Sequence, residues 1–234
     1  MLKLEALSFQ SHGRSLLSGV TAAIPGSALT CLIGANGAGK TTLLRILAGE
    51  LRPGSGRFVI DGTPSTSLTE QQIARRFSII PQDVPPPAYL TVAELATLAR
   101  FHPRSGLWWR PGDRDRAIIK SCLNVCQMDA LSQRRMDQLS GGEQQRAWLA
   151  FGLAQEKPYL LLDETLGGLD ILARKSFFGL LKGIASQAKG VVLTTHDLEL
   201  VSDFADWTVV LRAGRVTYEG PPSDRLLDFL AQAL

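Results

Sequence analysis

Nine residues, GANGAGKTT at positions 34–42, leave little freedom in what this chain folds into. They match GxxGxGK[ST] in full: Gly34, Gly37 and Gly39 at the glycine positions, Ala35, Asn36 and Ala38 between them, then Lys40, Thr41 and Thr42. Glycine has no β-carbon, so its backbone takes positive φ angles and brings N–H groups against an anion without steric cost. Apolar Leu29, Leu32 and Ile33 lead in with strand character, and residues 42–48 continue with helical spacing up to Gly49. A phosphate held here sits on a helix N-terminus, faced by Lys40, with the Thr41 hydroxyl available to Mg²⁺. The pattern predicts the strand, loop and helix of an α/β fold that binds a nucleoside triphosphate.

The rest of the chain is consistent with one such domain. Its 234 residues are 45% hydrophobic, enough to bury a substantial core. A formal charge of +3, from 25 basic and 22 acidic residues spread along the chain, is too mild to argue for a nucleic-acid surface. Cys31, Cys122 and Cys126 form no metal-ligand pattern and no disulfide framework, and Cys31 reads as a small buried hydrophobe in the strand before the phosphate loop. No run of about 18 apolar residues is present, and the N-terminus lacks the apolar stretch of a signal peptide.

Taken in order, residues 2–9, 20–24, 29–33 and 57–60 read as strands separated by turns at Gly13, Pro25–Gly26 and residues 53–56. Residues 69–76 read as helix and 77–80 as a strand ending at Pro81–Gln82, after which three prolines, Pro85, Pro86 and Pro87, break the chain. The character then turns helical: Thr91 with Glu94, and Ser140 with Glu143, stand at capping-box spacing, and Asp113 opens a run through Ile118, Ile119 and Leu123. We expect residues 84–157 to form an inserted helical subdomain within a single domain spanning 1–234. Residues 159–162 are continuously apolar, as in a buried parallel strand, with Asp163–Glu164 at the C-terminal end where open α/β sheets bind ligands. Residues 171–188 read as a helix, 191–195 as a second buried strand leading to His196–Asp197, and 208–219 as a hairpin before a closing amphipathic helix.

LSGGEQQR, residues 139–146, lies between the phosphate loop and the LLLDE strand, with Gln82 before it and His196 after. That ordered set resembles the ATP-binding subunits of ABC transporters over essentially the whole chain. The resemblance implies a P-loop core with an N-terminal antiparallel β subdomain and an inserted helical subdomain. It implies ATP and Mg²⁺ as ligands: residues 34–42 as the Walker A loop, Gln82 as the Q-loop glutamine, Asp163 as the Walker B aspartate, Glu164 as the catalytic glutamate and His196 as the switch histidine. Mg²⁺ would be held by Thr41 and Gln82 and supported by Asp163, while Glu164 polarises the attacking water. Ser140, Gly141 and Gly142 would face the ATP of a second subunit, so two copies, or a copy and a relative, close head to tail.

The resemblance also implies a peripheral subunit on the cytoplasmic face of the inner membrane, driving a polytopic permease fed by a substrate-binding protein. Two departures stand out: Ser11, beside His12 and Phe9, falls where relatives place an adenine-stacking tyrosine, and Thr165, Gly167 and Gly168 alter the D-loop that ends at Leu169–Asp170. PPPAYLTVAEL after Gln82, RFHPRSGLWWRPGDRD and the LDI after the D-loop glycines look most like importers of siderophore-bound iron, haem and cobalamin. An exporter or another importer class, and a soluble ABC protein of DNA repair or translation, remain alternatives; the absence of paired cassettes, coiled coil or zinc insertion favours transport. Trp108 and Trp109 are readable either as local packing or as a permease or membrane contact.

Overall fold

The computed structural model describes residues 1–82, 85–101, 109–223 and 225–231. Its centre is a six-stranded sheet in the order β10-β9-β3-β8-β7-β6, formed by β3 (Leu29–Ile33), β6 (Phe77–Ile80), β7 (Tyr159–Leu162), β8 (Gly190–Thr195), β9 (Trp207–Arg212) and β10 (Arg215–Gly220). Five of these run parallel and β10 closes one edge antiparallel to β9. Every residue of β3, β7 and β8 is buried, which explains why they are predominantly apolar without polar alternation, with Thr30, Thr194 and Thr195 as their buried threonines.

The two faces of that sheet serve different layers. Leu161, Val192, Val209 and Leu211 pack with α1 (Lys40–Leu47) beneath a second sheet, which is antiparallel with order β2-β1-β4-β5. Its strands are β1 (Leu2–Ser11), β2 (Arg14–Ile24), β4 (Ser55–Ile60) and the short β5 (Thr63–Pro64). β1 and β2 are longer than the sequence suggests and meet in a two-residue turn, where His12 and Gly13 both have positive φ. The opposite residues, Leu160, Leu162, Val191, Leu193 and Val210, face a layer that includes α5 (Gly141–Ala154) and α6 (Ile171–Ala185).

α5 packs against α3 (Val92–Leu98) and α4 (Asp113–Val125), with Met128, Met136 and Leu139 filling the space between. Both expected capping boxes of this region are present: Thr91 with Glu94 on α3, and Ser140 with Glu143 on α5. A third, Thr69 with Gln72, starts α2 (Glu70–Ala74). α6 stops at Ala185, short of the 188 that periodicity suggests, and Ala188 has turned to a φ of 63° before β8 begins. α7 (Leu198–Phe204) and α8 (Leu226–Ala231) complete the chain. Among the described residues no helix is long and apolar enough to cross a membrane. Burial raises the thiol pKa of Cys31 and Cys126, as befits inert core residues. Trp108 lies outside the described residues; Trp109 is half-buried, edge-on to Phe101 at 5.8 Å between ring centres.

Candidate functional site

Strand order puts the polar motifs side by side. β6, β7, β8 and β3 are neighbours and parallel, with Ile80 opposite Leu162, Leu162 opposite Leu193, and Thr195 opposite Ile33. Their C-terminal exits are Pro81–Gln82, Asp163–Glu164, His196 and the phosphate loop. Four segments far apart in sequence thus open at one end of the sheet.

They converge on one carboxylate. Glu164 Oε1 lies 3.1 Å from Lys40 Nζ and 2.8 Å from His196 Nε2, while Gln82 Nε2 donates to Glu164 Oε2 at 3.1 Å. Lys40 is only 5% exposed, and its ammonium also donates to the carbonyls of Gly34 at 2.7 Å and Ala35 at 3.2 Å. Glu164 itself has a φ of 44°, a strained geometry for a residue with a β-carbon. Its N–H donates to Thr194 Oγ1 at 2.7 Å, and that hydroxyl donates on to Asp163 Oδ1 at 2.8 Å. Thr194 therefore fixes both acidic residues from the neighbouring strand. Sequence reasoning passed over it, although a hydroxyl directly after the run Val191, Val192, Leu193, still within a buried strand, was a signal that something polar needed an anchor.

The phosphate loop has the form its glycines foretell. Gly39 precedes α1 with a φ of 104°, and a β-carbon on it would sit 2.7 Å from the Leu16 carbonyl oxygen. A cavity of ≈ 340 Å³ is lined by Asn36, Gly37, Gly39, Lys40, Thr41 and Thr42, together with Leu16, Gln82 and Glu164. Ser140, Gly141 and Gly142 do not line it; the two glycines lie beside Leu169, and a β-carbon on Gly141 would be 3.6 Å from Leu169 Cδ2. Ser140 is occupied locally, its N–H and hydroxyl both bonded to Glu143, which holds the Glu143 carboxyl below its ordinary range. In the D-loop, the Thr165 hydroxyl is buried with no partner among the described residues.

Phe9 is partly buried, packed against the core, and it does not line the cavity over the phosphate loop. His12 is exposed at the hairpin tip, its Nδ1 3.0 Å from Ser11 Oγ. Leu16, from β2, is the hairpin residue that lines the cavity over the loop, and Ser11 does not line it. Ser11→Tyr is expected to tighten ATP binding by about 1 kcal/mol, roughly fivefold. Isothermal titration with ATP measures this; unchanged affinity would mean that another residue already fills that place.

A phosphate loop before a buried helix N-terminus, with acidic and histidine residues on the adjoining strands, defines a P-loop nucleoside triphosphatase. The profile of the ABC transporter family matches residues 17–167, and the chain belongs to that family: it is an ATP-binding, ATP-hydrolysing transport ATPase. It is similar to the petrobactin import ATP-binding protein YclP of Bacillus subtilis (strain 168), 32% identical over 97% of this chain and 89% of the relative. It is also similar to the hemin import ATP-binding protein HmuV of Rhizobium meliloti (strain 1021), 34% identical over 100% of this chain and 90% of that one. Among solved structures it is similar to cbiO1 from Clostridium perfringens, part of the ABC transporter complex cbiONQ, with a TM-score of 0.85 and 26% identity over 97% of this chain and 90% of the other.

Proposed function

We propose that this chain is the ATPase of an importer of chelated iron, siderophore-bound or as haem, and that Glu164 is its catalytic carboxylate. The observation that carries the catalytic half is the convergence of Lys40, Gln82 and His196 on Glu164. The import half is supported by the relatives: besides the petrobactin and hemin proteins, an iron(3+)-hydroxamate import ATP-binding protein of Bacillus subtilis is 34% identical over 94% of this chain. Cobalamin shares the importer group suggested by the sequence, but these relatives favour iron chelates.

In this reading the backbone of residues 34–42 and Lys40 hold the ATP phosphates at the start of α1. Lys40 exchanges its contact with Glu164 for the β- and γ-phosphates, leaving that carboxylate free to orient a water molecule. His196, hydrogen-bonded to the same carboxylate, steadies it and reaches toward the γ-phosphate. The donor set fits Mg²⁺, which takes hard oxygens and keeps few protein ligands: Thr41 offers an exposed hydroxyl, Gln82 has its amide oxygen free of the Glu164 contact, and Asp163 has one oxygen not taken by Thr194. Bound there, Mg²⁺ neutralises charge on the phosphate oxygens.

Because Ser140, Gly141 and Gly142 stand away from the loop cavity, each signature serves the ATP of a second subunit, and two copies close head to tail against a polytopic permease on the cytoplasmic face of the membrane. Mixing a Lys40→Ala chain with a Ser140→Arg chain tests this. Each alone should be inactive, whereas their mixed dimer pairs a sound loop with a sound signature at one site and recovers part of the turnover. Full activity in a strictly monomeric Ser140→Arg protein would overturn the composite site. For the cargo, uptake of a labelled ferric siderophore or haem should vanish with the gene and return with wild-type protein but not with Lys40→Ala.

A further inference from the structure

The chemistry given to His196 depends on where its ring is held, and that is decided next door. Asp197 is tied on three sides: its N–H donates to Thr195 Oγ1 at 3.1 Å, its Oδ1 accepts from the Leu200 N–H at 3.2 Å, and its Oδ2 accepts from Arg174 Nη1 at 2.9 Å. The first two bonds are local and belong to the cap of α7. The third comes from another element altogether.

Arg174 stands in the first turn of α6. Its N–H bonds to the carbonyl of Asp170, whose side chain caps the same helix through the Ala173 N–H at 2.8 Å. A cation in a first turn opposes the helix macrodipole, so the stability of α6 gives no reason for an arginine at this position. Its Nε is buried with no partner among the described residues, so the inner part of the side chain is held in the protein while only the guanidinium tip finds a bond. The guanidinium bonds Asp197 through one nitrogen, and what sets the pair apart from an isolated surface contact is that Asp197 is held at the same time by Thr195 and by the Leu200 N–H. Arg174 and Asp197 line the same ≈ 510 Å³ cavity as Gln82, Glu164 and His196.

We propose that Arg174 is a positioning residue for hydrolysis: through Asp197 it fixes the turn that carries His196, and with it the contact of His196 with Glu164. The same arrangement joins the D-loop to the histidine. Arg174 lies one helical turn beyond Asp170, so a displacement of Leu169–Asp170 is carried by the guanidinium to Asp197. A neighbouring bond, Arg146 Nη2 to Ser176 Oγ at 2.9 Å, ties the signature helix α5 to α6 as well. Signature, D-loop and histidine are thereby linked through the first two turns of one helix. This inference rests on the role proposed for His196.

The test is a double-mutant cycle on steady-state ATP hydrolysis by the full-length protein. Arg174→Ala should lower kcat roughly tenfold, the scale of a modest misplacement of a reacting group, with KM for ATP changed less than about twofold. Arg174→Lys should restore part of the loss, because an ammonium still reaches Asp197 without the planar fork. Asp197→Asn, which keeps an oxygen for the α7 cap and removes the charge, should reproduce the kcat loss if Arg174→Ala proves unstable. In a His196→Ala background, Arg174→Ala should cost less than about twofold more. A tenfold loss undiminished in that background, or an unchanged kcat in both Arg174→Ala and Asp197→Asn, would overturn the proposal while leaving the reading of His196 intact. Normal turnover in His196→Ala would instead overturn that reading, and this inference with it.

Discussion

Glu164→Gln is expected to lower ATP turnover by roughly 10²–10⁴-fold, the range of a positioned general base, while ATP remains bound. The carboxylate accepts from three donors, Lys40, His196 and Gln82, and an amide retains only one oxygen to accept them. Some of those contacts must break, and Lys40 is the one with other partners at hand, the carbonyls of Gly34 and Ala35. Freed from a competing anion, it should hold phosphate at least as well as before. A radiolabelled-ATP binding assay beside a phosphate-release assay separates the two effects. Parallel loss of affinity and turnover would mean that Glu164 mainly shapes the loop.

Gly34→Ala should abolish useful nucleotide binding by a route that touches no phosphate. A β-carbon there would overlap the Leu211 carbonyl oxygen of β9 and lie 3.0 Å from Ala38 Cβ. Neither neighbour is the flexible end of a side chain, so loop or strand must move, at a cost of about 1–3 kcal/mol. Displacing the backbone donors by even a fraction of an ångström should raise the Kd for ATP about a hundredfold, equivalent to about 3 kcal/mol. Gly141→Ala is the contrast, since its β-carbon would meet only Leu169 at ordinary contact distance. The single chain should keep its melting temperature and ATP affinity. Thermal shift with and without ATP distinguishes the pair: stabilisation by ATP should disappear in Gly34→Ala and persist in Gly141→Ala.

Much of this was legible in the sequence because the motifs are local. The glycines of residues 34–42 dictate their own backbone, and Ser140 with Glu143 form their box within one turn. The buried strands declared themselves by having no polar alternation, as in β7 and β8. The ATP-binding half of the fold followed from those two signals.

What stayed hidden depends on which strand lies beside which. No spacing rule says that β8 lies between β3 and β7, and only that order brings the Thr194 hydroxyl to Asp163 and Glu164. Arg174 looks like any solvated helical arginine until α7 is packed against α6. The turn at Gly13 is expected from the sequence, but the strands run right up to it, because pairing across the sheet overrides the low strand propensity of polar Gln10, Ser11 and Arg14. How far Phe9 packs into the core was likewise not legible from its chemistry: it is partly buried against it.

The left-handed backbone at Glu164 sets stability and reactivity against each other at one residue. A glycine would adopt φ 44° more readily, whereas glutamate holds it at a cost on the order of 1–3 kcal/mol, offset in part by the Thr194 hydroxyl. Selection for thermal stability alone would drift this position toward glycine, or asparagine, and, on the role proposed for Glu164, silence the enzyme. A library of hardier variants screened only for folding should therefore accumulate inactive chains here first, and any screen for robust versions of this ATPase has to select for turnover at the same time.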